Sequence, residues 1–192
     1  MNKNKIILDL CGGTGAWSKD YEGAGYDVRV VTLPDNDVRT YKPPHYDIYG
    51  ILAAPPCTEF AGSGARWWKD KDPKLLDEAL NAVAACMSII VIYKPKFWCM
   101  ENPVGRLVHY IGKPVMYFNP CDYGDTYTKK TCLWGNFNKP VKNPVEPEYV
   151  TDKNGQRYSK IHWSTGGKSE RTKMLRSITP PGFAKAFYEA NK

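Results

Sequence analysis

The sequence lacks the short-range patterns that build metal sites and disulfide frameworks. Its six cysteines lie far apart, no two of them form a CxxC pair, and the three histidines are scattered. Structural zinc sites need closely spaced Cys and His ligands, and disulfide frameworks are typical of short secreted chains. We therefore predict no metal site and expect most of the cysteines to be buried, reduced thiols.

The sequence also lacks an uninterrupted apolar run of about 18 residues, the length of a membrane-spanning helix. Residues 1–5 lead directly into a predicted strand and carry no apolar segment typical of a signal peptide. The chain has 192 residues, of which 42% are hydrophobic and 24% charged. This composition predicts a globular protein with a sizeable core, located in the cytoplasm and without a membrane partner.

Two common nucleotide-binding signatures are missing as well. The glycine-rich turn Cys11–Gly15 is not followed by GK[ST], and it lacks the full GxGxxG pattern. The turn nevertheless follows an apolar strand and precedes a short predicted helix, where backbone N–H groups can approach a cofactor. A glycine turn in this position can also serve packing alone.

Acidic residues are scarce only in the last third of the chain. Residues 1–126 hold 14 Lys and Arg against 15 Asp and Glu, whereas residues 127–192 hold 13 against 5. The formal charge of +7 therefore comes entirely from the last third. Such a region is suited to nucleic acid or another phosphate-bearing partner, although a solvated surface without a partner can have the same composition.

Apolar runs that predict strands alternate with stretches of helical periodicity. The longest helix is expected to begin after Asp72-Pro73, with Asp72 as its N-cap. The alternation predicts an α/β, doubly wound Rossmann-like sheet whose ligands bind beyond the carboxyl ends of its strands. We expect strands over residues 6–10, 28–32, 47–53 and 96–100, further helices over residues 17–24, 104–110 and 182–191, and a β-hairpin within residues 136–173.

Reactive side chains follow two of these predicted strands. Pro55-Pro56-Cys57 ends one strand and Glu101-Asn102-Pro103 ends the next. Because the carboxyl ends of parallel strands meet at one edge of a sheet, we expect Cys57 to lie beside Glu101. A lone cysteine is usually inert, but a thiol beside a carboxylic acid is suited to covalent catalysis. The glycine-rich chain after Cys57 is expected to be a mobile loop over the site.

Five motifs, taken in order, resemble those of the DNA cytosine-5 methyltransferases. The resemblance covers nearly the whole chain except residues 136–175, and the compact form is similar to phage or prophage members. It implies the class I S-adenosylmethionine-dependent form of the Rossmann-like sheet, with a role in phage or restriction-modification DNA methylation. The motifs are Asp9-Leu10-Cys11-Gly12-Gly13-Thr14-Gly15-Ala16-Trp17, Pro55-Pro56-Cys57, Glu101-Asn102-Pro103, Asp122-Tyr123-Gly124 and residues 177–186.

The resemblance implies a catalytic role for each of these side chains. Cys57 would attack C6 of a cytosine, and C5 would then accept the methyl group of S-adenosylmethionine, leaving S-adenosylhomocysteine. Glu101 would bind the N3 edge of the base, and Asn102 would position the Cys57 segment. Lys129 and Lys130 stand where family members carry paired arginines near the base, and they would supply charge there or remain an ordinary solvated pair.

The resemblance also implies a cofactor site at the carboxyl ends of the first strands. Asp37-Val38 resembles the short Asp-Ile contact to the adenine in the family. The acidic residue that usually binds the ribose is not obvious, and Asp35 is the substitute suggested by position. The implied cofactor-binding residues are Asp9, Cys11, Gly12, Gly13, Thr14, Gly15, Trp17, Asp37, Val38, Pro55, Ser177 and Thr179.

The region that recognises the target is much shorter here than is usual in the family. We expect a catalytic domain over residues 1–135 and 176–192, with residues 136–175 as a reduced recognition insert. The small insert predicts short or relaxed sequence specificity, or help from a protein partner. Expected DNA contacts are Ser63, Arg66 and Trp67 after Cys57, and Lys153, Arg157 and Lys160 in the insert.

The reduced insert leaves the substrate open. Duplex DNA would have to release the cytosine by base flipping, because a stacked base hides C6 from a thiol. RNA or a free cytosine nucleotide would suit the same chemistry. A non-catalytic DNA-binding subunit would also explain the reduced insert, but the presence of both Cys57 and Glu101 argues against it.

Overall fold

A six-stranded sheet forms the centre of the computed structural model, which describes residues 2–43, 47–165 and 169–192. Its strands, in chain order, are β1 (Ile6–Leu10), β2 (Asp27–Val31), β3 (Ile48–Ala53), β4 (Phe97–Pro103), β5 (Met116–Phe118) and β6 (Thr131–Asn136). A separate hairpin pairs β7 (Tyr149–Thr151) with β8 (Arg157–Ser159). The helices are α1 (Lys19–Gly23), α2 (Pro73–Tyr93), α3 (Val108–Ile111), α4 (Lys160–Ser164), α5 (Glu170–Ser177) and α6 (Pro181–Asn191), with 3₁₀ helices over Gly62–Asp70 and Pro120–Tyr123.

The strand order β2-β1-β3-β4-β6-β5 gives the Rossmann-like α/β fold that the sequence predicts. Strands β1 to β4 are parallel, and β6 runs antiparallel between β4 and β5. The chain passes from β1 to β2 on one side and returns to β3 on the other. This reversal places a crevice at the carboxyl ends of β1 and β3, where such folds bind their ligands. Because β6 is antiparallel to β4, the residues that precede β6 also lie at the edge formed by the carboxyl ends of β1 to β4.

The two faces of the sheet bury different kinds of side chain. Leu8 and Leu10 point into a largely aliphatic core that includes α2 residues such as Val83. Ile7, on the opposite face of β1, belongs to an aromatic core. Alternate residues of β1 therefore serve opposite faces, as the pleat of a strand requires. The aromatic core includes Trp17, Tyr21, Phe118, Tyr123, Phe183 and Phe187.

Helix α2 begins and packs as its sequence predicts. The side chain of Asp72 accepts a hydrogen bond from the backbone N–H of Lys74 at 2.9 Å, which caps the helix. By length and composition α2 is apolar enough to cross a membrane, with a mean hydropathy of 1.9. In this fold one face of α2, which includes Val83, Cys86 and Ile90, is buried in the core.

The segment after Cys57 differs from its prediction. Residues Gly62–Asp70 form a 3₁₀ helix where an irregular, mobile loop was expected. Glycine has a low helical propensity, but a tertiary contact fixes this segment, because the Gly62 N–H donates to the Val104 carbonyl at 2.8 Å. The helices predicted over residues 17–24 and 104–110 are also shorter than expected. The hairpin and the terminal helix are confirmed, whereas β5 and β6 were not predicted.

Phe183→Ala should destabilise the protein because Phe183 is fully buried in the aromatic core. Its ring stacks on Phe118 with centroids 3.9 Å apart and also meets Tyr123 and Phe187. Removing a buried phenyl ring costs about 3–5 kcal/mol. Urea unfolding should show a lower midpoint with little change in slope. Val141→Ala, at a side chain that is 83% exposed, is the control. Similar midpoint shifts for both variants would contradict this account of the core.

Candidate active site

The first strand ends in a tight turn built around the carboxyl group of Asp9. Asp9 is fully buried, and its Oδ2 accepts a hydrogen bond from the Ser18 hydroxyl at 2.6 Å. The backbone of Gly12 passes so close to the Asp9 carboxyl group that a Cβ atom at Gly12 would lie 2.4 Å from Cγ of Asp9. Gly13 and Gly15 have φ values of +55° and +69°, a conformation that favours glycine. Local geometry therefore requires the glycines of this turn.

Burial changes the acidity of Asp9. The apolar surroundings raise its pKa from 3.8 to about 6, because they disfavour the charged form, and the Ser18 hydrogen bond only partly offsets this effect. Among the described residues, Oδ1 of Asp9 has no hydrogen-bond partner. The turn therefore contains a buried carboxyl group with spare hydrogen-bonding capacity.

A cleft of about 420 Å³ lies at the carboxyl ends of β1, β2 and β3. Its size falls within the range of small-molecule sites, roughly 300–1,000 Å³. Apolar side chains dominate its walls, and α2 forms one side. The lining residues are Cys11, Val31, Thr32, Leu33, Asn36, Asp37, Val38, Arg39, Ala54, Pro56, Thr58, Glu59, Leu75, Glu78, Ala79, Ala82 and Ser177.

Only some of the predicted cofactor-binding residues line this cleft. Cys11, Asp37, Val38 and Ser177 do so. Trp17 is 1% exposed and packs in the aromatic core instead. The remaining predicted residues, which are not part of the lining, are Asp9, Gly12, Gly13, Thr14, Gly15, Pro55 and Thr179.

The polar groups of the cleft come from the short segment after β2. Asp37 accepts hydrogen bonds from the backbone N–H and the guanidinium of Arg39, and this guanidinium lowers the pKa of Asp37. The carboxylate therefore remains ionised and can accept from a donor in the cleft. Asn36 lines the cleft, whereas the proposed substitute Asp35 is exposed and does not. Sequence reasoning missed Asn36 because an amide carries none of the charge that drew attention to Asp35.

The structure brings Cys57 and Glu101 to neighbouring strand ends. Ala53 at the end of β3 pairs with Met100 of β4, the residue before Glu101. The side-chain amide of Asn102, the next residue, donates to the Pro55 carbonyl at 3.0 Å. Asn102 is fully buried, so its rotamer is fixed by packing as well as by this bond. The bond holds the Pro-Pro-Cys segment beside Glu101.

Burial and nearby charges set the acidities of this pair. Burial raises the pKa of the Cys57 thiol, and the negative charge of Glu101 raises it further. Burial likewise raises the pKa of Glu101. The ammonium of Lys129 lowers both pKa values because it favours the charged forms. The arrangement therefore favours the protonated forms of both Glu101 and Cys57, and Lys129 is the charge that opposes this effect.

The two lysines before β6 have different surroundings. The ammonium of Lys129 donates to the Arg176 carbonyl at 2.6 Å, near the end of α5. This bond joins the strand-end site to the segment that contributes Ser177 to the cleft. Lys130 instead lies 5.4 Å from the ring centroid of Tyr117 on β5. Lys129 is therefore the lysine of the pair that acts on Cys57 and Glu101.

The predicted nucleic-acid contacts are exposed. Ser63, Arg66 and Trp67 lie on the 3₁₀ helix after Cys57, and the Arg66 guanidinium stands 5.0 Å from the Trp67 ring.

The other predicted contacts, Lys153, Arg157 and Lys160, lie in or next to the hairpin. The Ser159 hydroxyl of β8 donates to the Thr128 carbonyl at 2.8 Å. The hairpin is thus anchored one residue from Lys129. Lys160 is already paired with Glu148, whereas the Arg157 guanidinium covers the exposed Tyr149 ring.

In the described part of the chain, no group of three or more His, Cys, Asp or Glu side chains is arranged to hold a metal ion.

Asp9→Asn should remove a pH dependence of the free energy of unfolding. Folded Asp9 keeps its proton up to about pH 6, whereas the unfolded residue loses it near pH 3.8. The folded state therefore binds more protons in this window, and wild-type stability falls as the pH rises through it. The shift corresponds to roughly 3 kcal/mol.

The measurement is the difference in unfolding free energy between wild type and Asp9→Asn at pH 4 and at pH 7. Wild type should lose about 2 kcal/mol relative to the variant between these values, because unfolded Asp9 has already lost much of its proton at pH 4. Asn154→Ala, an exposed change that removes no titrating group, should give a constant difference. A constant difference for Asp9→Asn would show that the buried carboxyl does not titrate as described.

No family model matches the chain. In sequence, the chain is 28% identical over 124 residues to the type II methyltransferase M.DdeI of Desulfomicrobium norvegicum (strain DSM 1741 / NCIMB 8310). The match covers 53% of this chain but only 28% of that relative. The chain thus spans less than a third of the length of this curated relative.

In structure, the chain is similar to a protein of E. coli assigned as a DNA modification methyltransferase encoded within a prophage. The TM-score is 0.49 with 16% sequence identity, over 87% of this chain and 56% of that one. The fold assignment rests on the strand order and pairing of this chain itself. The resemblance to methyltransferases that the motifs indicated is confirmed by the sequence match to a type II methyltransferase.

Proposed function

We propose that this chain transfers a methyl group from S-adenosylmethionine to C5 of cytosine in DNA. The observation that carries the proposal is the bond from Asn102 to Pro55, which holds the Cys57 thiol beside the Glu101 carboxyl at the edge of a ligand-sized cleft. A nucleophile and an acid at neighbouring strand ends are suited to attack on an electron-poor ring. The sequence similarity to a type II methyltransferase supports the same activity.

Cys57 and Glu101 have complementary roles in the proposed reaction. The Cys57 thiol gives its proton to solvent, and the sulfur of the resulting thiolate forms a bond to C6 of the cytosine. Glu101, whose pKa is raised by burial, donates its proton to N3 and so neutralises the charge that develops on the ring. C5 becomes nucleophilic and takes the methyl group. Loss of the C5 proton to a base, cleavage of the sulfur–C6 bond and return of the N3 proton to Glu101 then restore the aromatic ring, the thiolate and the Glu101 acid.

The cleft fits an adenosine-containing cofactor. S-adenosylmethionine would supply an electrophilic methyl group and leave as S-adenosylhomocysteine. The apolar walls suit its purine ring, and the Asp37 carboxylate can accept from an exocyclic amino group. Asn36 and Ser177 offer polar groups for the ribose. The turn at Gly12–Gly15 brings backbone close to the end of β1, next to Cys11 in the cleft.

DNA is the polymer that we propose as substrate, with base flipping where it is double-stranded. The excess of positive charge lies in residues 127–192, and the hairpin in this region is anchored beside Lys129. A hairpin with strands of three residues each can reach only a few base edges. We therefore expect short or relaxed sequence specificity, or a protein partner that completes recognition.

The assay that tests this function uses purified protein and S-adenosylmethionine labelled in its methyl group. Duplex DNA, RNA and a free cytosine nucleotide are compared as acceptors. Label transferred to DNA and recovered as 5-methylcytosine supports the proposal. If label is transferred only to RNA, or only to the nucleotide, that acceptor rather than DNA is the substrate. Cofactor binding without transfer to any acceptor would instead point to a non-catalytic role.

Cys57→Ala should abolish the covalent adduct with DNA that contains 5-fluorocytosine. In this substrate fluorine replaces the proton that must leave C5, so an adduct formed by Cys57 accumulates. Methyl transfer to ordinary DNA should fall by at least about a thousandfold. Denaturing gel electrophoresis detects the adduct. Cys121→Ala is the matched control, because Cys121 is also a partly buried free thiol but lies in the Pro120–Tyr123 helix. An adduct that survives Cys57→Ala would contradict the assignment of the nucleophile.

Lys129→Gln should shift the pH profile of adduct formation to higher pH. The ammonium of Lys129 lowers the pKa of the Cys57 thiol, so its removal leaves less thiolate at neutral pH. A shift of one pKa unit would slow adduct formation at pH 7 roughly tenfold. Lys113→Gln, an exposed lysine outside the site, is the control. An unchanged profile for Lys129→Gln would show that this charge does not act on the nucleophile.

A further inference from the structure

Two residues after Cys57, a carboxylate is held almost out of water between two cations. The Glu59 side chain belongs to a residue that is only 7% exposed. Its two oxygens accept from the ammonium of Lys71 at 2.8 and 2.9 Å. Arg106 is the second cation, with Nη2 4.0 Å from Oε2. Neither Glu59 nor Arg106 belongs to the motifs that carry the family resemblance.

Arg106 links the segment after Cys57 to the chain that continues from β4. Its Nε donates to the Glu59 carbonyl at 2.7 Å, and its backbone N–H donates to the Phe60 carbonyl at 2.9 Å. The guanidinium also lies 4.6 Å from the ring centroid of Trp68. Arg106 thus contacts both the beginning and the far part of this segment. It stands five residues after Glu101, so the link connects the chain around the nucleophile to the chain around the acid.

Lys71, at the end of this segment, contacts residues at its beginning. Besides the Glu59 carboxylate, its ammonium donates to the Thr58 carbonyl at 3.0 Å. Thr58 is the residue next to Cys57. One side chain therefore brings the end of the 3₁₀ helix back to the residue that follows the nucleophile.

Backbone contacts leave this segment little freedom. Ala61 forms a bridge with Gly105, and Phe60 is fully buried. A Cβ atom on Gly105 would lie 1.8 Å from the Phe60 carbonyl oxygen, so only glycine fits at this crossing. The charged network acts on a segment that already lies close against the chain after β4.

A buried ion pair contributes little to net stability because the desolvation of the two charges offsets their attraction. Its better supported role is to select one conformation among several of similar energy. Here the selected conformation is that of the residues directly after Cys57. Thr58 and Glu59 also line the cleft, so the same conformation shapes one of its walls.

We propose that Glu59, Arg106 and Lys71 are positioning residues that fix the Cys57 thiol for attack and hold the adjacent wall of the cleft. The inference rests on the proposed function, since it concerns the nucleophile of that reaction. None of the three side chains needs to touch the base. Their effect is to hold the segment that carries Cys57, and displacement of a reacting group by about 1 Å can cost a hundredfold in rate.

Glu59→Gln should slow adduct formation at saturating DNA and cofactor by about a hundredfold. The variant keeps the shape of the side chain but removes the charge that binds Lys71 and Arg106. The adduct rate at saturating DNA should fall by far more than the KM for DNA rises, because the hairpin side chains Lys153, Arg157 and Lys160 are unchanged. Rates are measured in single turnovers with 5-fluorocytosine DNA, and the folded fraction is measured by thermal unfolding. Lys74→Gln, an exposed change in the first turn of α2, is the matched control.

Arg106→Lys is the second variant, and it keeps the test available if Glu59→Gln fails to fold. This substitution keeps the positive charge at position 106. The lysine lacks the guanidinium group that donates to the Glu59 carbonyl. Arg106→Lys should therefore also slow adduct formation while the protein stays folded. A rate loss that only follows the folded fraction, or unchanged rates in folded variants, would overturn the positioning role. Absence of adduct and methyl transfer in wild type would instead defeat the proposed function itself.

Discussion

The hydrogen bond from the Asn102 amide to the Pro55 carbonyl is the contact on which the candidate site depends. Pro55 and Pro56 have no N–H group, so the chain cannot continue in the sheet ladder and leaves it at this point. The carbonyl of Pro55 then needs a donor from elsewhere. Asn102 supplies it from the end of β4 while fully buried, where loss of one partner would leave an unsatisfied polar group at a cost of about 1–3 kcal/mol. Two strand ends are thus joined beside Cys57 and Glu101.

The electrostatics of the site follow from how deeply these two groups lie. Burial raises the pKa of both Cys57 and Glu101, and the negative charge of Glu101 raises the pKa of Cys57 further. Lys129 is the cation that moderates both effects, and its position depends on the Arg176 carbonyl. The site at the strand ends is therefore completed by the last part of the chain. Charge on the C-terminal region acts at Cys57 as well as on the outer surface.

The sequence predicts those features that depend on neighbours along the chain. Apolar runs gave the central strands, and Asp72-Pro73 gave the start of α2 because a cap acts within one turn. The parallel arrangement implied by alternating strands and helices predicted that Cys57 and Glu101 would meet. The expectation of a mobile loop after Cys57 was wrong because the deciding partner lies far along the chain: Gly62–Asp70 is helical with support from Val104. Trp17 packs in the core against Phe183 and Phe187, which are equally distant in sequence.

Residue order alone is enough to predict the α/β architecture, the placement of Cys57 and Glu101 at neighbouring strand ends and the basic character of the last third. Each of these follows from residue type, local periodicity or summed charge. Three contacts follow only from tertiary packing: Asn36 rather than Asp35 lines the cleft, Lys129 rather than Lys130 acts on Cys57, and Glu59 meets Arg106. The direction of a side chain and its distance from a partner depend on how separate segments pack. Such contacts leave no periodic trace in the sequence.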